Sequence, residues 1–109
     1  MYDPKYSRAF SLCIESLNVL CCGTGDLRSR LSIIDMEFYL LKLGDIPDFD
    51  GLREDFKDLR KSVTKLNPKN DEGRIKGTIS RSQLKTLQGV AQLIWSIHRK
   101  FDTYMNTSA

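Results

Sequence analysis

The chain has 109 residues, 40% hydrophobic and 28% charged, with a formal net charge of +3 at pH 7. That length supports one hydrophobic core and excludes two domains of ordinary size, and no uninterrupted apolar run approaches the roughly 20 residues of a membrane span. Three cysteines, Cys13, Cys21 and Cys22, with a single histidine, His98, make a poor metal set, so neither metal nor cofactor is expected.

Residues 1–8, MYDPKYSR, lack the basic start and apolar core of a secretion signal, and the expected location is cytoplasmic. Residues 1–5 are expected to fray. A first helix is predicted over 6–22, where Phe10, Cys13, Ile14, Leu17, Leu20 and Cys21 form a broad apolar face. Cys21 and Cys22 read as reduced, half-buried thiols, because a bridge between these adjacent residues would be strained, and Cys13 is expected to pack in the core. The helix ends at Gly23-Thr24-Gly25, a loop short enough to fold the next helix back beside the first.

The second helix is predicted over 27–43. Leu27, Leu31, Ile34, Phe38 and Leu41 recur at steps of four, three, four and three, the spacing of one helical face. Asp26 stands at the N-cap, and Gly44 is expected to supply a left-handed stop before Pro47. A phosphate cradle at the glycines is disfavoured: no strand precedes them, and Asp26 puts a negative charge at the mouth. Asp35 and Glu37, two apart on a helix, point to different faces and cannot act as a carboxylate pair. Arg28 and Arg30 are expected to be exposed at the helix start as a candidate binding surface.

A third helix, opening near residues 48–50, repeats the same spacing in Leu52, Phe56, Leu59, Val63 and Leu66. Two such seams predict helix-on-helix packing. Residues 67–73, NPKNDEG, read as a loop, and 74–79 as either a short helical turn or an extended piece. Ser80 and Gln83 read as a capping box opening a last helix that runs to about 104, with the tail at 105–109 frayed. That helix carries Leu84, Leu87, Ala91, Ile94 and Phe101 on one face, widened by Val90, Leu93 and Ile97, a surface for more than one neighbour. The expected fold is therefore all-α: a single domain over 1–109 forming a small four-helix bundle, with a short extra helical turn or extended piece before the last helix.

No arrangement of nucleophile, base and orienting group is recognisable, so no catalytic residue is assigned. His98 is expected at the edge of the core, and Trp95 in the core or as an interface anchor. Charge is uneven along the chain. Up to Asp55 there are six basic and ten acidic residues, a net of −4, and from Phe56 onward eleven basic and four acidic, a net of +7. The candidate polyanion- or partner-binding set is Lys57, Arg60, Lys61, Lys65, Arg74, Lys76, Arg81 and Lys85, to which Lys69 also belongs by position.

The order of GTGDLRSRL, DFDGLREDFKDLRKSVTKL and GRIKGTISR before a terminal helix resembles a group of small bacterial helical proteins with the pattern G-x-G-D-L-R-x-R-L, met near mobile-element or phage-defence genes. The resemblance spans about 10–101 and implies a small helical fold of bacterial or phage origin. It brings no activity and no site residues. The expected function is that of a non-enzymatic interaction or regulatory protein binding a protein partner or itself, as an accessory of phage defence or of a mobile element. The alternative is a nucleic-acid-binding module using the basic region 57–85.

Overall fold

The structure, a computed structural model, describes residues 5–64 and 71–107, leaving out the side chains at 71–74, 76 and 107. Every regular element among the described residues is helical: α1 (Ser7–Cys22), α2 (Leu27–Ile33), α3 (Met36–Tyr39), a 3₁₀ turn (Leu43–Asp45), α4 (Leu52–Val63), α5 (Asp71–Arg81) and α6 (Leu84–Thr107). Helix α6 is the longest, and α1, α2 and α4 all pack against it. Its buried stripe, Leu87, Val90, Ile94, Ile97, Phe101 and Met105, keeps the three- and four-residue steps of one helical face.

Helix α1 meets this stripe through Phe10, 5.2 Å from Phe101 between centroids, and Tyr6 at its N-cap meets the neighbouring, half-buried Tyr104 edge-on at 5.7 Å. On the other side, α4 buries Leu52, Phe56, Leu59 and Val63, as its spacing predicts; Leu66, the last position of that spacing, lies outside the described residues. Asp55 of α4 fixes the register across that seam. Its carboxylate accepts from the Lys100 ammonium at 2.9 Å and from the Ser96 hydroxyl at 3.2 Å.

The 27–43 stretch differs from the single predicted helix. It breaks at Ile34 and Asp35, whose ψ angles of 135° and 127° are extended. Asp35 then caps a new start, accepting from the Glu37 N–H at 2.9 Å. The apolar spacing survives the break: Leu31, Ile34, Phe38 and Leu41 are all buried, and Leu27 is half-buried. Helix α3 ends at Tyr39, and the chain passes through an extended Lys42 into the 3₁₀ turn. Gly44 lies within that turn and has no left-handed φ, so it is not the expected stop. The left-handed positions are Gly25 at φ 91°, and Asp50 and Gly51 at 51° and 76°, which start α4 two residues beyond its predicted opening.

Two further boundaries shift. Residues 74–79 belong to the 11-residue helix α5 and are neither a short turn nor an extended piece. Ile75, Thr78 and Ile79 are buried on one face, and that burial outweighs the helix-weakening effect of Gly77. Ser80 lies inside α5 and is not an N-cap; the chain breaks at Ser82–Gln83. The Ser82 hydroxyl turns back to donate to the Thr78 carbonyl at 2.6 Å. At the other end, the first part of the tail expected to fray, 105–107, remains helical with Met105 fully buried, while 108–109, like 1–4, lie outside the described residues.

Met105→Ala is therefore expected to cost about 2–5 kcal/mol of unfolding free energy, as for a core truncation. Urea denaturation followed by circular dichroism measures this. A loss under about 0.5 kcal/mol, ordinary for a surface site, would mean the end of α6 does not close the core.

Candidate basic cleft on helix α4

The extended segment after α3 stands off one flank of α4 and leaves a cleft of about 350 Å³ between them. Its floor is apolar: Tyr39 from the end of α3, Leu41 and Leu43 from the segment, Phe56 from α4. Its rim is cationic: Lys42 from the segment, and Lys57, Arg60 and Lys61 from α4, with Thr64 at the end. The spacing of α4 explains this division. Phe56 faces inward with Leu52, Leu59 and Val63, while 57, 60, 61 and 64 follow it round one side of the helix.

The floor is rigidly held. The Phe38 and Phe56 rings meet at 5.5 Å, and the Tyr39 hydroxyl donates to the Leu31 carbonyl at 2.8 Å. Burial pushes the Tyr39 phenol upward, so it stays a neutral donor. Leu43, 38% exposed, is the floor residue most open to a ligand. On the rim, Lys42, Lys57 and Lys61 are all exposed, and Lys57 shares its charge with Glu54 at 3.3 Å. The Thr64 hydroxyl donates to the Arg60 carbonyl at 2.6 Å.

A second depression of about 260 Å³ adjoins the first and shares Leu41 and Lys42 with it. It adds Arg8, Glu37, Leu40 and Asp45, and Arg8 pairs with Glu37 across its mouth.

Three members of the predicted basic set, Lys57, Arg60 and Lys61, meet in the cleft. Lys65 and Lys69 lie outside the described residues, as do the side chains of Arg74 and Lys76. Arg81 and Lys85 are exposed around the α5–α6 junction and do not line the cleft. Lys42 was not among the predicted site residues. The signal for it is its position between Leu41 and Leu43 in a segment that the unbroken-helix reading concealed.

Arg28 and Arg30 are not the exposed surface the sequence suggests. Both are half-buried and donate to backbone carbonyls. Arg28 Nε reaches the Ile79 carbonyl at 3.3 Å and its terminal nitrogen the Ser82 carbonyl, holding the end of α5. Arg30 donates to the Leu20 carbonyl at 3.0 Å, near the end of α1. Helix C-termini carry unpaired carbonyls and negative dipole, and a guanidinium satisfies both.

The glycine turn is structural. Gly25 needs its left-handed φ, and a side chain at Gly23 would sit 2.4 Å from the Val19 carbonyl oxygen. Asp26 accepts from the Ser29 N–H at 2.9 Å, and that bond, followed by the Ser29 hydroxyl, holds its carboxyl below the usual range.

All three cysteines are free: Cys13 is buried, as expected, with its thiol pushed up to about 12 by desolvation, while Cys21 and Cys22 are exposed, not half-buried. His98 is half-buried and stacks on Phe10 at 6.4 Å. Trp95 is 51% exposed, outside the core, with the Arg99 guanidinium 5.4 Å over its ring. Among the described residues no group of three or more His, Cys, Asp and Glu side chains could hold a metal ion, and no helix is long and apolar enough to cross a membrane. No family of known proteins, no curated protein and no solved structure matches the chain.

Arg28→Ala leaves two carbonyls without their donor and is expected to lower stability by about 1–3 kcal/mol. Arg81→Ala, at an exposed site, should stay within about 0.5 kcal/mol of the parent. Equal effects in chemical denaturation would return Arg28 to the surface. Because the Asp26 carboxyl is depressed on folding, its contribution is present above the ordinary carboxylate range and lost as pH falls through the folded value. The stability difference between parent and Asp26→Ala should accordingly shrink below about pH 3.8. A difference constant with pH would contradict the cap.

Proposed function

We propose that the chain is a non-enzymatic interaction or regulatory protein that engages a protein partner through the cleft beside α4. One observation carries the reading: Tyr39, Leu41, Leu43 and Phe56 offer an apolar floor inside a rim of Lys42, Lys57, Arg60 and Lys61. Protein interfaces join such apolar anchoring sites to a charged rim, the first supplying most of the affinity and the second the selectivity. The architecture fits an elaborated four-helix bundle in which α2 and α3 together stand for one helix and α5 is added before the last. The setting, a cytoplasmic accessory of bacterial phage defence or of a mobile element, rests on the motif order in the sequence alone.

The second reading, a nucleic-acid-binding module, draws on the net +7 of residues 56–109. It accounts less well for the cleft. Phosphate contacts need cations and no apolar floor, and Lys57 already shares its charge with Glu54.

A photo-crosslinking side chain placed at Leu43 in the native host separates the readings, with Gln92, exposed on α6, as the control position. The expected result is a covalent adduct with a protein, whether another chain or a second copy, at position 43 and not at 92. An adduct with nucleic acid, no adduct, or equal adducts at both positions would each overturn the proposal.

A further inference from the structure

Resting on the protein-partner reading above, we infer that the occupant of the cleft is an acidic linear segment of another protein, carrying a bulky aliphatic or aromatic side chain flanked by carboxylates. The chemistry of the walls points to it. Lys42 on one lip and Lys61 on the other are both exposed, so anionic groups are favoured on either side of whatever enters between them. Between the lips the floor presents leucine and ring carbons. Tyr39, the one floor residue with a polar side-chain atom, commits its hydroxyl to the Leu31 carbonyl. A ligand therefore gains at the floor by burying apolar surface and at the rim by charge.

Shape separates a peptide from a compact or lipid-like anion. The cleft is not enclosed and its cations come from both elements that border it, whereas a fatty acid is best matched by a closed apolar tunnel with charge at one end. About 350 Å³ accepts one or two large side chains with their backbone outside. The second depression continues past Leu41 and Lys42, so the recognised feature is elongated, as a segment of chain is. There Arg8, Glu37 and Asp45 present both signs. The acidic stretch of the segment accordingly lies over α4 and its less charged end toward Glu37. Four cations, Lys42, Lys57, Arg60 and Lys61, against no carboxylate in the lining favour an acidic partner at this cleft.

The test is fluorescence anisotropy of labelled peptides against the full purified chain. The first probe alternates aspartate and glutamate with leucine and phenylalanine; the second carries asparagine and glutamine in place of the acids; the third carries alanine in place of leucine and phenylalanine. Single-stranded oligothymidine is the fourth. Saturable binding of the first probe is expected, weaker by about tenfold or more for the second and third. Lys42→Glu and Lys61→Glu should each weaken it on the order of tenfold. Leu43→Ser should do so at unchanged salt dependence, and Gln92→Glu should leave it unchanged. These positions are exposed, and far-ultraviolet circular dichroism confirms folding of each variant.

Equal binding of the first three probes, tighter binding of oligothymidine, or indifference to Lys42→Glu and Leu43→Ser would overturn the inference. If the Leu43 crosslink captures a protein while the acidic probe fails to bind, the acidic chemistry is wrong and the interaction reading stands. If both fail, the interaction reading falls as well.

Discussion

A 24-residue helix with six large apolar side chains along one stripe cannot stand in water, and the positions of the other elements answer that constraint. Helices α1 and α4 take the two sides of α6, and α2 also packs against it. Apolar burial is non-directional, so it brings α4 to α6 without choosing a register. The choice falls to the half-buried Asp55, which accepts from Ser96 and Lys100 together. With α4 held on that flank, its opposite flank, with Lys57, Arg60 and Lys61, faces the segment that follows α3. The cleft is thus a consequence of how α6 is covered.

The apolar spacing in the sequence is a sound guide to which side chains are buried and a weaker one to backbone continuity. Leu31, Ile34, Phe38 and Leu41 reach the core as their spacing demands, although the helix stops between Ile33 and Met36. A stretch can keep its buried face while its hydrogen-bond ladder is interrupted, provided something caps the new start. Asp35 is that cap, and an aspartate one residue before a restarted helix is a local signal that the periodicity overrode. The opposite error arises at α5. Gly73 and Gly77 argue against a helix locally, yet Ile75, Thr78 and Ile79 share a buried face and settle the matter through tertiary packing. Ser80 and Gln83 have the spacing of a capping box, but spacing cannot show that Ser80 already belongs to a preceding helix.

The site was legible in part for a related reason. Lys57, Arg60 and Lys61 follow from the polarity of α4, because one helix fixes their relative positions. Lys42 joins them only through the fold. Its place between two floor leucines depends on the extended backbone at Lys42, which follows from the early end of α3. Exposed charges taken singly contribute about 0–1 kcal/mol to an interaction, while burial of one large apolar side chain contributes about 1.5–3 kcal/mol. Rim without floor would therefore be an unselective cationic surface, and floor without rim a small apolar depression. Their coincidence in one concave site distinguishes this patch from singly exposed apolar side chains such as Ile33 and Leu84, neither of which lines the cleft.

Charge counted along a sequence treats all cations alike, and the fold divides them by the geometry of their donors. Arg28, Arg30 and Arg53 all donate to main-chain carbonyls, those of Ile79, Ser82, Leu20 and Ile46. Guanidinium suits that work: it is a planar fork with five N–H donors, able to serve two carbonyls from one side chain, as Arg28 does. An ammonium is a compact point charge on a flexible stem, better retained in water. Lys42 and Lys61 remain at the surface accordingly, while Lys100 is drawn in only where a carboxylate meets it. The three arginines contribute formal charge to the acidic first half of the chain, but their donors are committed to holding loops and helix ends. On the flank of α4 and the lip opposite it, by contrast, Lys57, Arg60, Lys61 and Lys42 border an apolar floor.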